Sequence, residues 1–308
     1  MKRICRILLI CLASSLCNAQ IQITLTKEFV NKFADRVTID TNFRVDITSK
    51  IHPASQDGDI HVAGTAPEIG MIAVAEIMNA KTEKTKTVKV LMNAVGSGHP
   101  VKISGAWRIW CEHGGEQDYV QGTGAVPVAE SSGEAHVFEV HPITSVNGSN
   151  IDQTWAPTPG FTYKDATQAF QIYERTKSQI KETETTVTIS TEQSGYNYTE
   201  FIAKLTGDPI PLADGLAVFA EIMDKEGELL VHKRRLVFAA GTDPEKTVRT
   251  MHKGQMLQVV GIPRFDLRLV QFRLKNHTGK FAGSLNWNLP YEMIVAAVTD
   301  ANPEISEQ

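Results

Sequence analysis

The stretch VTIDTNFRVDITSKIHPASQDGDIHVAG, residues 37–64, decides the fold class of this chain. Ile39, Phe43, Val45 and Ile47 fall at alternate positions, with polar residues between most of them. A period of two is typical of a β-strand that buries one face. The polar turn SQDG then interrupts the pattern before GDIHVAG resumes it. We therefore predict one long bent strand or a strand pair, followed by a further strand.

The same alternation recurs along the chain and predicts a mainly β protein. The segments MIAVAEIMNA (71–80), VKISGAWRIWCEH (101–113) and AHVFEVHPITSV (135–146) each predict a strand. A short helix is predicted over Lys27–Ala34 from its apolar spacing, and a longer one over Thr162–Glu182, where apolar residues recur at threes and fours. The Pro-rich segment TWAPTPG, residues 154–160, cannot continue a strand and marks a joint between two halves.

These boundaries predict four segments. Residues 1–19 are a signal peptide, 20–150 a first β-barrel, 151–183 a linker with one helix, and 184–308 a second β-barrel. A unit of about 130 residues with about five short strands suits a small Greek-key barrel of the oligonucleotide/oligosaccharide-binding (OB) type. Two β-sandwich domains are the alternative, because strand periodicity alone does not separate barrel from sandwich.

Two pairs of similar segments suggest an internal duplication. AVAEIMNAK (73–81) resembles VFAEIMDKE (218–226), and FEVHPITSV (138–146) resembles QVVGIPRFDL (258–267). The two matches occur in the same order in both halves. We therefore expect a tandem repeat.

Composition places the chain among ordinary globular proteins, with 308 residues, 42% hydrophobic and 21% charged. The formal net charge is −4, and it becomes about −7 when Lys2, Arg3 and Arg6 leave with the first 19 residues. Such a balance argues against a nucleic-acid partner. The segment 231–280 is nevertheless locally basic, so it is the place where an anion would be attracted.

The N-terminus predicts export. Three basic residues precede the apolar run Ile7–Leu16, which is too short to span a membrane, and Ala19 offers a small residue for cleavage. A secreted or periplasmic location follows, with no transmembrane segment. Only Cys111 remains after cleavage, so no internal disulfide can form, and packing as a small apolar residue is its expected role.

The usual local catalytic motifs are absent from the sequence, and histidines give the sharpest lead. If SQDG closes a hairpin, His52 lies opposite His61 on one face. His141 and Glu139 share a face of a neighbouring strand and could complete a site for a divalent metal. The alternative is a polar stripe on a sheet with no ligand.

Aromatic and basic residues suggest a second kind of site. Trp107 and Trp110 lie three apart, so one of them could join Phe138 in a stacking platform for a sugar ring or a base. Lys233, Arg235, Arg264 and Arg268 lie on predicted amphipathic strands and could contact an anionic ligand or pair internally.

Three functions are compatible with these features. The first is an exported, non-catalytic binding module for a protein partner or for an unidentified ligand, such as an oligomeric or anionic one. The second is a metal-dependent hydrolase that uses the histidines of the first half. The third is a structural envelope or assembly protein whose strand edges meet a partner.

Overall fold

The computed structural model describes residues 20–303, apart from 116, 123 and 277–286. The predicted signal peptide lies outside these described residues. The strands are β1 (Gln20–Thr26), β2 (Thr38–Thr48), β3 (Ile60–Thr65), β4 (Ile72–Ile77), β5 (Val101–Ile109), β6 (Asp118–Val120), β7 (Phe138–Val146), β8 (Ser149–Asn150), β9 (Lys164–Asp165), β10 (Lys177–Glu182), β11 (Thr186–Glu192), β12 (Thr199–Leu205), β13 (Ile210–Leu212), β14 (Gly215–Met223), β15 (Leu229–Ala239), β16 (Met256–Phe265), β17 (Trp287–Asn288) and β18 (Tyr291–Asp300).

Short α-helices connect some of these strands. They are α1 (Lys27–Phe33), α2 (Thr87–Ala94), α3 (Ala166–Arg175), α4 (Asp243–Arg249) and α5 (Leu267–Asn276). Within the described residues, no helix is long and apolar enough to cross a membrane.

The predicted mainly β barrel fold is confirmed. Strands β2, β3, β4, β7 and β5 pair in that order, and β5 pairs back to β2, which closes a five-stranded ring. Only the β4–β7 pair of this ring is parallel. The result is a Greek-key barrel of the OB type, with α2 between its third and fourth strands. We call it the first barrel.

A second ring has the same order. Strands β12, β14, β15, β18 and β16 pair in sequence, β16 pairs back to β12, and the β15–β18 pair is parallel. Helix α4 lies between its third and fourth strands, as α2 does in the first barrel. We call this ring the second barrel. The boundaries predicted at 150 and 184 stay predictions.

A third sheet joins distant parts of the chain. Its order is β17-β10-β11-β1-β6. Strand β1, which precedes the first barrel in the sequence, thus pairs with β11, which follows that barrel. Alternation explains the buried face of β1, because Ile21, Ile23 and Leu25 are buried, and most of the residues between them are exposed or half-buried.

Two predicted elements differ in the structure. The helix predicted over Thr162–Glu182 ends at Arg175, and Lys177–Glu182 forms β10, because pairing with β11 and β17 outweighs its local helical pattern. The segment after Phe265, predicted as an amphipathic strand, is helix α5. Its apolar residues Leu267, Val270 and Leu274 recur at helical spacing and pack against the core.

The two sequence matches do not align equivalent strands. AVAEIMNAK contains β4, the third strand of the first barrel, whereas VFAEIMDKE contains the end of β14, the second strand of its barrel. FEVHPITSV is the fifth strand, β7, whereas QVVGIPRFDL lies on the fourth, β16. Both matches are therefore displaced by one strand, and they give no support for a duplication.

The barrels pack against each other through the outer faces of their strands. Along β15, Leu236 and Phe238 belong to the main core, whereas Val237 and Ala239 belong to a second apolar cluster that also contains Ala106 of β5. This second cluster spans both barrels. We call the contact between the barrels the seam.

Candidate functional site

The seam holds the histidines that the sequence singled out. The connection between β2 and β3 carries His52 and Asp57, and His61 lies on β3. Nδ1 of His52 lies 2.9 Å from Oδ1 of Asp57, and the rings of His52 and His61 are 4.4 Å apart. One ligand atom from each of the three residues lies within 4.8 Å of the others, and all three side chains are half-buried. We call them the outer cluster.

A second group lies deeper. Ligand atoms of Asp59, Glu76 and His141 also lie within 4.8 Å of one another, and all three residues are buried. Glu76 joins the two groups, because its Oε2 lies 3.4 Å from Nε2 of His61 and 3.4 Å from Nδ1 of His141. We call Asp59, Glu76 and His141 the inner cluster. Its members come from β4, β7 and the residue before β3.

The second barrel completes the inner cluster with Tyr198, which directly precedes β12. Its hydroxyl donates to Oδ2 of Asp59 at 2.5 Å and accepts from Nε2 of His141 at 2.6 Å. Burial raises the pKa of Tyr198 well above its usual value, so the hydroxyl remains a donor. The pKa of Asp59 is also raised, chiefly by burial.

Carboxylates hold the His141 ring in its charged form. Burial alone would lower the pKa of His141, but the neighbouring Glu76, Asp59 and Glu139 outweigh it and raise the pKa to about 10. At neutral pH both ring nitrogens therefore carry protons. One donates to Tyr198 and the other lies 3.2 Å from Oε2 of Glu139.

Glu139 is committed to other partners. Nη1 of Arg108 lies 2.6 Å from both of its carboxylate oxygens, and Nε2 of His136 lies 3.3 Å from one of them. Burial would raise the pKa of Glu139, but the Arg108 guanidinium holds it well below its ordinary value. The four residues predicted as metal ligands thus separate. His52 and His61 lie in the outer cluster, His141 lies in the inner one, and Glu139 is ion-paired.

A cavity of about 430 Å³ opens beside the outer cluster. Asp57 and Gln56 of the first barrel form one wall, and Tyr198 with Tyr196 and Asn197 forms another. The rest of its lining is the linker 161–165 and Gln168 of α3. A neighbouring cavity of about 230 Å³ shares Tyr163, Lys164 and Asp165 and continues along β12. We call the first of them the seam cavity.

The prediction of an exposed aromatic platform is wrong. Trp107, Trp110 and Phe138 are at most 1% exposed, because they pack in the main core. The Trp107 ring faces Phe29 and Phe33 of α1 on its edges. None of the three predicted aromatics can stack on a ligand in this arrangement.

Of the four predicted anion-binding residues, two are buried in ion pairs and two lie on the surface. Arg235 and Arg264 are buried and both pair with Glu292 of β18, so they are internal ion pairs rather than an open anion site. The guanidinium of Arg264 also stacks on the Trp107 ring at 3.6 Å, which ties the two barrels together. On the surface, Lys233 lies over the Phe219 ring and Arg268 pairs with Asp35.

Cys111 is buried, and burial raises the pKa of its thiol to about 12. This agrees with the expected role as a small apolar residue, because a thiol with that pKa carries little thiolate at neutral pH.

Sequence reasoning missed Asp57, Glu76 and Tyr198. Glu76 could have been found from the sequence, because it lies directly opposite His61 in the pairing of β3 with β4. Both residues are polar positions in mostly apolar strands. Asp57 was assigned to a tight turn, whereas the connection 49–59 is longer and folds back on His52. Tyr198 lies 139 residues from Asp59, and nothing local indicates that contact.

Comparison with known proteins gives little further information. No protein-family model and no curated protein matches the chain. Among solved structures, 11 chains match. One of them, described as "Structural mimicry for functional antagonism", is 9% identical, covers 86% of this chain and 94% of its own, and has a TM-score of 0.22. A likeness of that size carries no argument about fold or function.

Proposed function

We propose that this protein is a non-catalytic binding module and that the seam cavity holds a neutral polar ligand of the carbohydrate class. The observation that carries the proposal is the lining of the cavity, which combines aromatic rings with amide groups in one cleft between two barrels. Apolar clefts with a few convergent polar groups are the usual form of small-molecule sites.

Aromatic side chains supply the apolar surface of the proposed site. Phe161, Tyr163, Tyr196 and Tyr198 all line the cavity. The first three are half-buried, so part of each ring is open to a ligand. Edge contacts hold Phe161, Tyr163 and Tyr198 in place, since the Phe161 ring lies 5.1 Å from that of Tyr163 and 6.0 Å from that of Tyr198. Rings fixed in this way offer apolar area at little cost in side-chain entropy.

Amide groups supply the polar contacts of the proposed site. Oδ1 of Asn197 is buried and has no hydrogen-bond partner in the part of the chain that the structure describes. A buried acceptor without a partner costs free energy, and a ligand hydroxyl could satisfy it. The exposed amides of Gln56 and Gln168 lie on the same cavity. Amide groups of this kind donate to and accept from hydroxyl groups.

The charges of the cavity favour a neutral ligand over an anion. Lys164 is the one basic residue of its lining, and its ammonium lies 4.1 Å from the centre of the Tyr196 ring. Asp57 and Asp165 balance it. The buried arginines of the second barrel pair with Glu292 and do not reach solvent as an anion site. A nucleic-acid backbone would require a net basic surface instead.

Thermal unfolding with a ligand panel tests this proposal. We expect neutral oligosaccharides to raise the unfolding midpoint, with about 2.7 kcal/mol of stabilisation at a hundredfold excess over the dissociation constant. Acidic oligosaccharides and single-stranded oligonucleotides should have less effect. Tyr196→Ala should weaken binding roughly tenfold, which corresponds to about 1.4 kcal/mol.

The matched control is Phe272→Ala, which removes a 61% exposed ring from α5, away from the cavity. It should bind as the unmodified protein does. Equal affinity in the Tyr196→Ala and Phe272→Ala variants would contradict the proposal. Silence across the whole panel would favour a protein partner or a structural role.

We also propose that the protein acts outside the cytoplasm. The support is the sequence of residues 1–19, where basic residues precede a short apolar run. N-terminal sequencing of the chain recovered from the exported fraction should begin at Gln20. Recovery of the chain only from the cytoplasm, with Met1 retained, would contradict export.

A further inference from the structure

We propose that His52, Asp57 and His61 bind one divalent transition-metal cation at the rim of the seam cavity. Two imidazoles and one carboxylate form the ligand set. This set is typical of Zn²⁺ and of Fe²⁺ or Co²⁺ sites with open coordination positions, and not of Ca²⁺ or Mg²⁺ sites, which are built from oxygen ligands.

The three ligand atoms are already close together. They lie within 4.8 Å of one another, whereas ligands around a cation with bonds of about 2.0 to 2.2 Å lie roughly 3.5 Å apart. Nδ1 of His52 and Oδ1 of Asp57 are hydrogen-bonded at 2.9 Å, and the same oxygen accepts from the backbone N–H of Asp59. A cation would replace the proton that His52 and Asp57 share.

Glu76 provides a second, independent observation. Its Oε2 is buried and makes no hydrogen bond among the residues that the structure describes, although it lies 3.4 Å from Nδ1 of His141. This oxygen lies 3.4 Å from Nε2 of His61. A histidine that binds a metal through one nitrogen usually donates its other N–H to a carboxylate, which fixes the ring and raises its basicity. Because Nε2 of His61 faces Glu76, Nδ1 would be the nitrogen that binds the cation, and Glu76 would orient the ring.

The inner cluster is a weaker candidate for the same cation. Both nitrogens of His141 already have hydrogen-bond partners, one in Tyr198 and one in Glu139. Asp59 likewise accepts from the backbone N–H of Asn79 and from Tyr198. A cation there would have to displace several buried hydrogen bonds.

The outer cluster is also accessible. Its side chains are 26%, 21% and 24% exposed for His52, Asp57 and His61, and Asp57 lines the seam cavity. A cation held by three protein ligands keeps a further position for water or for an oxygen of a cavity ligand. The metal site does not depend on carbohydrate binding, so either proposal can fail alone.

Titration of the tag-free chain with Co²⁺, followed by its visible absorption, tests the site. We expect one Co²⁺ per chain, displaced by one equivalent of Zn²⁺. Asp57→Asn and His61→Ala should each weaken Co²⁺ binding at least tenfold, and Glu76→Gln should weaken it about 10- to 100-fold without removing a ligand. Far-UV circular dichroism of each variant checks that its fold is kept.

The matched control is His252→Ala. His252 also lies beside an aspartate, with Nδ1 3.6 Å from Oδ1 of Asp208, but on an exposed surface away from the cluster. This variant should bind Co²⁺ as the unmodified protein does. If no ion binds at one equivalent per chain, the proposal is overturned. Folded Asp57→Asn and His61→Ala variants that keep full affinity would overturn it as well.

Discussion

At the scale of single residues, the Tyr198 hydroxyl connects the two barrels through the inner cluster. It donates to Asp59 and accepts from His141, and all three residues are buried. Tyr198→Phe would leave both partners without this contact. We expect the free energy of unfolding to fall by about 1 to 3 kcal/mol, measured by urea denaturation.

Tyr196→Phe is the control for this prediction, because it removes a hydroxyl from a half-buried tyrosine of the same cavity. Its effect should stay within about 0.5 kcal/mol. Equal losses in both variants would show that the Tyr198 hydroxyl has no special role.

His141 should make stability depend on pH. Its pKa is raised from 6.5 to about 10 in the folded state, so the folded protein holds this proton more tightly than the unfolded chain does. The resulting stabilisation is fully present below pH 6.5 and is lost as the pH rises toward about 10. Urea denaturation with a chelator present should show the free energy of unfolding falling between pH 7 and pH 10.

His141→Gln should reduce this slope, whereas His99→Gln, at an exposed position, should leave it unchanged. His136 contributes in the same direction, since Glu139 outweighs the effect of burial and raises its pKa as well, so a residual slope is expected. An unaltered slope in His141→Gln would contradict this assignment.

The sequence predicts some of the site residues but not their partners. The predicted proximity of His52 and His61 is confirmed, since their rings are 4.4 Å apart. The predicted tight hairpin is not, because β2 ends at Thr48 and His52 lies in the connection to β3. The separation of Glu139 from the cluster could not be foreseen, because its partner Arg108 lies on another strand of the sheet. The three-residue spacing of Trp107 and Trp110 predicts that one of them faces outward, but helix α1 and the second barrel cover Trp107.

At the scale of elements, close strand contacts restrict two glycines. A Cβ added at Gly64 of β3 would lie 2.0 Å from the carbonyl oxygen of Arg44, and one at Gly215 of β14 would lie 2.0 Å from that of Phe238. Both oxygens belong to the backbone and cannot move without shifting a strand. We expect Gly64→Ala to lower the free energy of unfolding by about 1 to 3 kcal/mol, measured by thermal or urea denaturation.

Gly207→Ala serves as the matched control, because no atom lies within 4 Å of its added Cβ. It should be neutral or slightly stabilising through the lower entropy of the unfolded chain. A Gly64→Ala variant as stable as Gly207→Ala would contradict the close approach of β2 and β3.

The elements themselves were predictable where the local pattern and the pairing agree. Strands β2, β3 and β5 follow the alternation of the sequence. Lys177–Glu182 does not, because its helical spacing continues that of α3, while hydrogen bonds to β11 and β17 determine its conformation. Tertiary pairing of this kind overrides local propensity.

At the scale of the whole molecule, buried ion pairs connect the barrels. Glu292 accepts from Arg235 and Arg264, and Arg264 also donates to the backbone oxygens of Val37 and Trp107 in the first barrel. Glu292→Gln would remove the carboxylate that pairs with the buried Arg264 and the nearest of the carboxylates around Arg235, which keeps only the more distant Asp35 and Asp266. We expect a loss of about 3 to 5 kcal/mol in the free energy of unfolding, measured by urea denaturation.

Glu226→Gln is the control, since Glu226 pairs with Lys225 on an exposed surface. Exposed pairs contribute about 0 to 1 kcal/mol, so this variant should unfold almost as the unmodified protein does. A Glu292→Gln variant of unchanged stability would mean that the seam does not depend on these charges.

The arrangement of the two barrels lies beyond what the sequence can predict. Strand number and spacing suit a small barrel but do not separate it from a sandwich. The basic segment 231–280 suggests an exposed anion site, because nothing local indicates which strand faces become covered. Val237 and Ala239 of β15 pack on the first barrel, and Arg235, on the same face of this strand, is buried with them and pairs with Glu292. The seam cavity exists only because the barrels meet in this way.

Mapping a bound ligand by NMR tests the central claim most directly. In a titration of isotope-labelled protein with a neutral oligosaccharide, the backbone amide shifts should change at residues 56–57, 161–165, 168 and 196–198, which line the seam cavity. Shift changes confined to these segments are the predicted result. Saturable changes that cluster elsewhere, or no changes at any ligand concentration, would contradict a ligand site at the seam.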